Sequence, residues 1–362
     1  FYTSVLTIGD FGIMTDVYVY MAFLNIVYLF GMETTYFRFA NESDEKRAFN
    51  HAFSWILVIG SIFSFSFIAF SQKIATSLSY PNQSHFIIFL SLILLIDSIS
   101  AIPFAQLRHQ GNAKKFAFAK LLNIGVNVFL NIFFLVICQG IHEGKYLLFS
   151  SDFIHSFYNP TSKVTYILLS NLIANFLFIP ILFKNIIAYR PQFSWSFMKP
   201  MIQYAYPLMF LGLAGMVNEM IDRILLKELF PKHLYPNKTN LEVLGIYGGI
   251  YKLSIFITLV RQAFQYAAEP FFFSKAKDKN APETFAKVMK YYVLFCCTMF
   301  LVISLFRELI GKILLQKAEF QEALYILPFL LLANVFLGIY YNQSVWYKLT
   351  NKTYFGTIIS VT

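Results

Sequence analysis

Apolar runs of about twenty residues recur from one end of this 362-residue chain to the other, and this feature leaves it few ways to fold. A hydrocarbon core about 30 Å thick is crossed by about 20 helical residues. The chain therefore reads as an all-α polytopic membrane protein. Composition agrees: 57% of residues are hydrophobic, 19% are aromatic and only 13% are charged, against about 25% charged in soluble domains. Nine crossings are expected, over 13–36, 50–70, 86–107, 116–138, 164–187, 204–226, 245–272, 288–306 and 324–346. The longest polar connection, about 140–163, is too short to build a core of its own. Pro103, Pro180, Pro207 and Pro328 fall inside or near the ends of these spans, so kinked helices are expected. The sequence opens without Met on "FYTSVLTIGDFG" and closes on "GTIISVT" within a new apolar run. Residues 1 to about 8 and 354–362 thus read as remnants of one helix before and one after, with both ends truncated.

Net charge is +10 and the pI is near 9.3, but the basic residues are spread over the loops between apolar segments. That argues for membrane topology and against nucleic acid. Alternate loops fall into two sets, one with 17 Lys and Arg and the other with 10. Basic residues stay on the cytoplasmic side, so the first set, including the loops at 38–50, 108–115 and 275–287, is expected there. Cys138, Cys296 and Cys297 lack paired metal spacing and read as small apolar side chains. The six His lie in loops or at helix ends without ligand spacing, and no Gly-rich phosphate loop is present. No metal and no cofactor are expected.

An internal echo aligns "FGIMTDVYVYMAF" (11–23) with "LGIYGGIYKLSIF" (244–256), matching Gly12 with Gly245, Ile13 with Ile246, Tyr18 with Tyr251 and Phe23 with Phe256. The segments are six crossings apart and so run in the same direction, as in transporters built from two parallel repeats.

The segments "DFGIMTDVYVYMAFLNIVYLFGMETTYFRFA" (10–40), "AIPFAQLRHQGNAKKFAFAKLLNIGVNVFLN" (101–131) and "LGIYGGIYKLSIFITLVRQAFQYAAEPFF" (244–272) together resemble the polysaccharide-exporting flippases of the multidrug/oligosaccharidyl-lipid/polysaccharide (MOP) exporter superfamily, the O-antigen type. The resemblance covers essentially the whole chain by pattern, without a strict signature. It implies a MATE-like bundle of two lobes with parallel six-helix repeats around a central cleft. On that plan residues 1–190 form the N-terminal lobe and 191–362 an incomplete C-terminal lobe.

Several polar groups lie in these apolar spans, where a charge at the bilayer centre costs about 2.5–3.5 kcal/mol on insertion scales. In the span 245–272, Tyr251, Ser254, Thr258, Arg261, Gln265 and Glu269 follow helical spacing and form one stripe. That stripe either faces a wet cleft or joins helices through an Arg261–Glu269 or Arg261–Gln265 pair. Asn218, Glu219, Asp222 and Arg223 cluster in "VNEMIDRILL". Asp16 is placed near the outer edge of its helix, and Glu33 and Arg38 flank the inner end. Arg38 either snorkels to the interface or serves substrate access. Asp97 either takes up a proton or caps carbonyls freed by the Pro103 kink. In "KLLNIGVNVFLNIFF" (120–134), Asn123, Asn127 and Asn131 drift only about 40° per step and share a face. They either hydrogen-bond to Asn171 and Asn175 on the next helix or offer amides to sugar hydroxyls.

The leading functional reading is a flippase that moves a lipid-linked oligosaccharide on a polyprenyl-pyrophosphate carrier across the cytoplasmic (inner) membrane, for surface polysaccharide or lipopolysaccharide synthesis. Arg261, with Lys252, Arg38 and Arg223, is assigned to the phosphates. Ser254, Thr258, Gln265 and the three Asn are assigned to the cleft. Asp97, Glu219, Glu33 and Glu269 are the candidates for coupling to H⁺ or Na⁺. Partners are the lipid-linked substrate and membrane lipids, with no nucleic acid. The second reading is a cation-coupled multidrug antiporter of the same fold. The third is a membrane glycosyltransferase or polymerase, which the lack of a paired acidic motif in the outer loop, with its Glu143 and Asp152, argues against.

Overall fold

The computed structural model describes residues 1–42, 44–145, 154, 156–191, 193–275, 278 and 280–349. Among them every regular element is a helix, with no strand. Eight helical segments are long and apolar enough to cross a membrane: Ile8–Glu42, Glu45–Ala69, Ser84–His109, Ala113–His142, Lys163–Ile187, Asn240–Phe264, Ala281–Leu305 and Ala318–Ser344. The expected crossing at 204–226 lies inside the 35-residue helix Trp195–Leu229, which is not one of the eight. Asn218, Glu219, Asp222, Arg223 and Lys227 dilute its apolar content.

The chain divides into two compact units, Asp16–Ile224 and Phe1–Thr15 together with the chain from Leu225 onward. Within Asp16–Ile224, the helix Ser84–His109 is the hub and packs against Met32–Glu42, Glu45–Ala69, Ala113–Ile132, Lys163–Phe176 and Phe178–Ile187. Its apolar window is 61% buried, against 22% for the segment Ala113–His142. The latter turns Leu121, Ile124, Val128 and Phe129 outward, as a lipid-facing helix does, and keeps its Asn row on the protected side. Tyr36, Phe49, Phe53, Ile56 and Ile102 form the core at one end of the unit. Tyr28, fully buried, is bonded to the Ser64 hydroxyl, which donates to the Ser91 carbonyl.

The span expected at 13–36 is interrupted. Helix Ile8–Leu29 ends at Phe30 and Gly31, both with positive φ, before Met32–Glu42 begins. Gly31 is required twice over, because its φ of +69° strains an L side chain and a Cβ there would meet the Ala205 carbonyl oxygen. Pro103 sits inside Ser84–His109, and Pro200 and Pro207 sit inside Trp195–Leu229.

In the second unit, Asn240–Tyr251 starts with a capping box in which the Thr239 hydroxyl accepts from Glu242 N–H and the Glu242 carboxylate accepts from Thr239 N–H. The helix read as continuous over 245–272 tightens into a 3₁₀ turn at Lys252–Ser254 and resumes as Ile255–Lys275. Ile255–Lys275, Ala281–Leu305 and Leu327–Leu349 pack on one another. Phe1–Thr15 joins them through Phe11, edge-on to Phe320 at 5.2 Å, and through Thr3, which donates to the Leu314 carbonyl.

The two glycines paired in the sequence echo lie against each other. A Cβ on Gly12 would run into the carbonyl oxygen of Leu241, four residues before Gly245. A Cβ on Gly245 would run into the carbonyl oxygen of Ile8, four residues before Gly12. The contact is reciprocal.

Candidate functional site

The structure sorts the polar residues of the membrane spans into two groups. The first lies in the unit Asp16–Ile224. Asn123 donates to Asn175 Oδ1 at 2.8 Å, and Asn175 donates in turn to Asp97 Oδ1 at 2.9 Å. Three helices, Ser84–His109, Ala113–Ile132 and Lys163–Phe176, are joined by this chain of amide and carboxylate. Asn131 donates to the carbonyl and side-chain oxygens of Asn127 within its own helix, and Asn171 donates to the Tyr18 hydroxyl. The interhelical reading of the Asn row therefore holds at Asn123. Asp97, read as a proton acceptor or as a cap near Pro103, accepts from Asn175 across the helix contact.

The charges at the helix ends of this unit are largely paired. Glu33 pairs with Arg108 across helices. Arg38 pairs with Glu42 at 3.0 Å and lies over Tyr204, 4.4 Å from the ring centroid, with its side chain about half exposed. Arg223 is buried, bonded to the Glu219 carbonyl at 2.7 Å and to Asp222 at 3.2 Å, whereas the Glu219 side chain is exposed. Asp16, read as lying near an outer edge, is 1% exposed and accepts from the Tyr80 hydroxyl at 2.6 Å. Lys120 lies over Phe104 and Phe178 at 4.5 and 4.8 Å.

The second group lies in the other unit and is built differently. Arg261 is 9% exposed, its guanidinium sits over the Tyr341 ring at 5.0 Å, and its Nε has no hydrogen-bond partner among the described residues. Lys252 lies over Phe11 and Tyr2 at 4.5 and 5.2 Å. Ser254 and Thr258 both meet Asn334: Asn334 donates to Ser254 Oγ at 3.4 Å, and the Thr258 hydroxyl donates to Asn334 Oδ1 at 2.9 Å. The side chains of Gln265 and Glu269 lie outside the described residues, so the Arg261–Glu269 and Arg261–Gln265 pairs do as well. Asn334 and Tyr341 were missed by the sequence reading, although an Asn within "LLLANVFLGIYY" is the same signal that drew attention to Asn123.

Chemically, the second group is a pair of cations held by aromatic faces. A ring face attracts a cation without neutralising it, so an anion remains attractive to both. Among the described residues no cluster of three His, Cys, Asp or Glu could hold a metal ion. In the loop after Ala113–His142, Glu143 is bonded to Lys145, which holds its carboxyl below the usual range. Asp152 lies outside the described residues.

Residues 4–143 match the family model described as polysaccharide biosynthesis protein. No curated protein matches the sequence. Among solved structures the chain is similar, at 11% identity and a TM-score of 0.62, to an inward-facing conformation of a multidrug resistance MATE family transporter of the MOP superfamily, over 95% of this chain and 80% of that one. The chain is thus a polytopic membrane protein whose fold is similar to that transporter's, and its residues 4–143 match the polysaccharide biosynthesis protein model.

Proposed function

We propose that this protein is a flippase that carries a lipid-linked oligosaccharide, on a polyprenyl-pyrophosphate carrier, from the cytoplasmic to the outer leaflet of the inner membrane. The observation that carries the reading is Arg261, a buried guanidinium in a membrane span that rests on an aromatic ring and has no carboxylate partner among the described residues. An uncompensated cation there is expensive, and a pyrophosphate is the group that would compensate it. Lys252, also held by rings, supplies a second positive charge one turn or more away along the same segment. The family match over residues 4–143 supports a saccharide cargo. The reciprocal Gly12–Gly245 contact supports the parallel repeat, hence transport by rocking one six-helix lobe, 1–190, against the other, 191–362.

Asp97 is the residue proposed for coupling to H⁺ or Na⁺, because it is the carboxylate drawn into a membrane-embedded hydrogen-bond chain. The same observation favours a cation-coupled drug antiporter as the second reading. The two readings separate by cargo. Arg261→Ala should abolish surface glycan at near-normal protein level if the cargo is a phosphate-bearing lipid. Normal export by a well-expressed Arg261→Ala protein would sink the reading. For topology, single cysteines at Lys46, Lys114 and Lys287 should resist membrane-impermeant thiol reagents in intact cells, and ready labelling would invert the assignment.

A further inference from the structure

Apart from the residues described above, the unit Asp16–Ile224 carries a recess of about 850 Å³ at a set of helix ends, lined by the start of Glu45–Ala69, by Gln106, and by Asn185, Ala188, Arg190, Phe193 and Ser194. Its described lining holds three cations, Lys46, Arg47 and Arg190, against one carboxylate, Asp44. That carboxylate is already engaged as the helix cap, accepting from Lys46 N–H at 3.0 Å. The neighbouring Glu45 is engaged as well, by the amides of Gln106 and Gln110.

The floor of the recess is fixed by hydrogen bonds that determine which atoms remain available. His51 is 1% exposed, and its Nδ1 lies 2.8 Å from the Arg47 carbonyl while its Nε2 accepts from Ser194 N–H. Those two bonds require the neutral imidazole protonated at Nδ1. Asn50 accepts from Arg190 N–H through Oδ1, which leaves its NH₂ as a donor. The Arg47 guanidinium stacks on Phe197 at 4.5 Å from the ring centroid. A guanidinium resting on a ring face can still turn N–H donors to a ligand, and its fork suits phosphate oxygens.

We propose that this recess binds a phosphate group, with Arg47, Arg190 and Lys46 on its oxygens and the Asn50 amide beneath. The chemistry is the same whether the phosphate belongs to a lipid headgroup at the membrane surface or to a soluble compound. The proposal does not rest on the transport reading, because Arg261 lies in the other compact unit and its variants test that reading separately.

The test uses the full chain in maltoside micelles, which contain no phosphate. Inorganic phosphate is titrated by calorimetry, and phosphatidylglycerol is added and followed by native mass spectrometry. Saturable binding of inorganic phosphate identifies a soluble source, and binding of phosphatidylglycerol alone identifies a lipid headgroup. Either should weaken by ~tenfold or more in the Arg47→Gln/Arg190→Gln double variant and stay unchanged in Lys287→Gln, a surface cation of the other unit. Should the double variant fail to fold, Lys46→Gln, on an exposed side chain, should still weaken binding by ~threefold. The proposal is overturned if neither probe saturates, or if the folded double variant, or Lys46→Gln in its place, binds as the wild type does.

Discussion

The Asn123–Asn175–Asp97 chain and the Arg261–Lys252 pair are both polar groups in apolar helices, yet they are completed in opposite ways. In the first, each described donor finds an acceptor on a neighbouring helix, and the single carboxylate is met by an amide. In the second, two cations rest on aromatic rings, and the buried Nε–H of Arg261 has no acceptor among the described residues. A completed network stabilises the protein whether or not a ligand is present. An incomplete one is costly, and on the proposed function a phosphate would relieve that cost. The comparison therefore assigns different measurements: protein level to the Asn123 and Asn175 amides, transport to the Arg261–Lys252 pair and to the proposed coupling residue Asp97.

The sharpest way to break the comparison is at Arg261. Losing a charge-assisted phosphate contact removes about 1.5–3 kcal/mol, or ~10- to 150-fold in binding. Arg261→Ala should show that loss in export with little change in membrane abundance. Arg261→Lys should keep part of the activity, since charge survives without the fork. If Arg261→Ala instead lowers abundance and Glu269→Ala restores it, the guanidinium is a helix tie, and the two regions are alike after all.

The glycine crossing should give the next largest effect. Ala at Gly12 or at Gly245 places a methyl group on a facing backbone carbonyl, and overpacking of this kind costs about 1–3 kcal/mol. Because the contact is reciprocal, the two variants should have similar effects on thermal stability, and the double variant should cost less than their sum. A large effect at one site with none at the other would contradict that reciprocity.

How much of this was legible in the sequence depended on the range of the interaction. The crossings were legible because hydrocarbon thickness alone sets their length. The Asn123–Asn175 bond was legible because amides four residues apart on adjacent helices have few other partners in an apolar phase. The break at Phe30–Gly31 was not, because it depends on the carbonyl of Ala205, some 170 residues further along the chain. Nor was the 3₁₀ turn at Lys252–Ser254, which shifts the stripe into two segments without any Pro to mark it. The phosphate recess was invisible for a related reason: Arg47 and Arg190 read as ordinary loop cations until folding brings His51 to Ser194 and Asn50 to Arg190.

The smallest predicted effects lie within the amide chain, and they show whether it acts as a unit. Interhelical hydrogen bonds in membranes average about 0.6 kcal/mol and reach about 1.7, so Asn123→Ala should lower thermal stability only slightly. Asn175→Ala should cost more, because it leaves two partners at once, the Asn123 amide and the Asp97 carboxylate. If the chain is a unit, Asn123→Ala should cost almost nothing once Asn175 is gone, so the double variant should match Asn175→Ala alone to within a few tenths of a kcal/mol. Export measured on the same four proteins should follow abundance, in contrast to Arg261→Ala, where the two measurements part. Additive losses from Asn123→Ala and Asn175→Ala would mean that the two amides act separately. Export lost at normal abundance in Asn123→Ala would move the Asn row to the cargo, the role its helical face also permits.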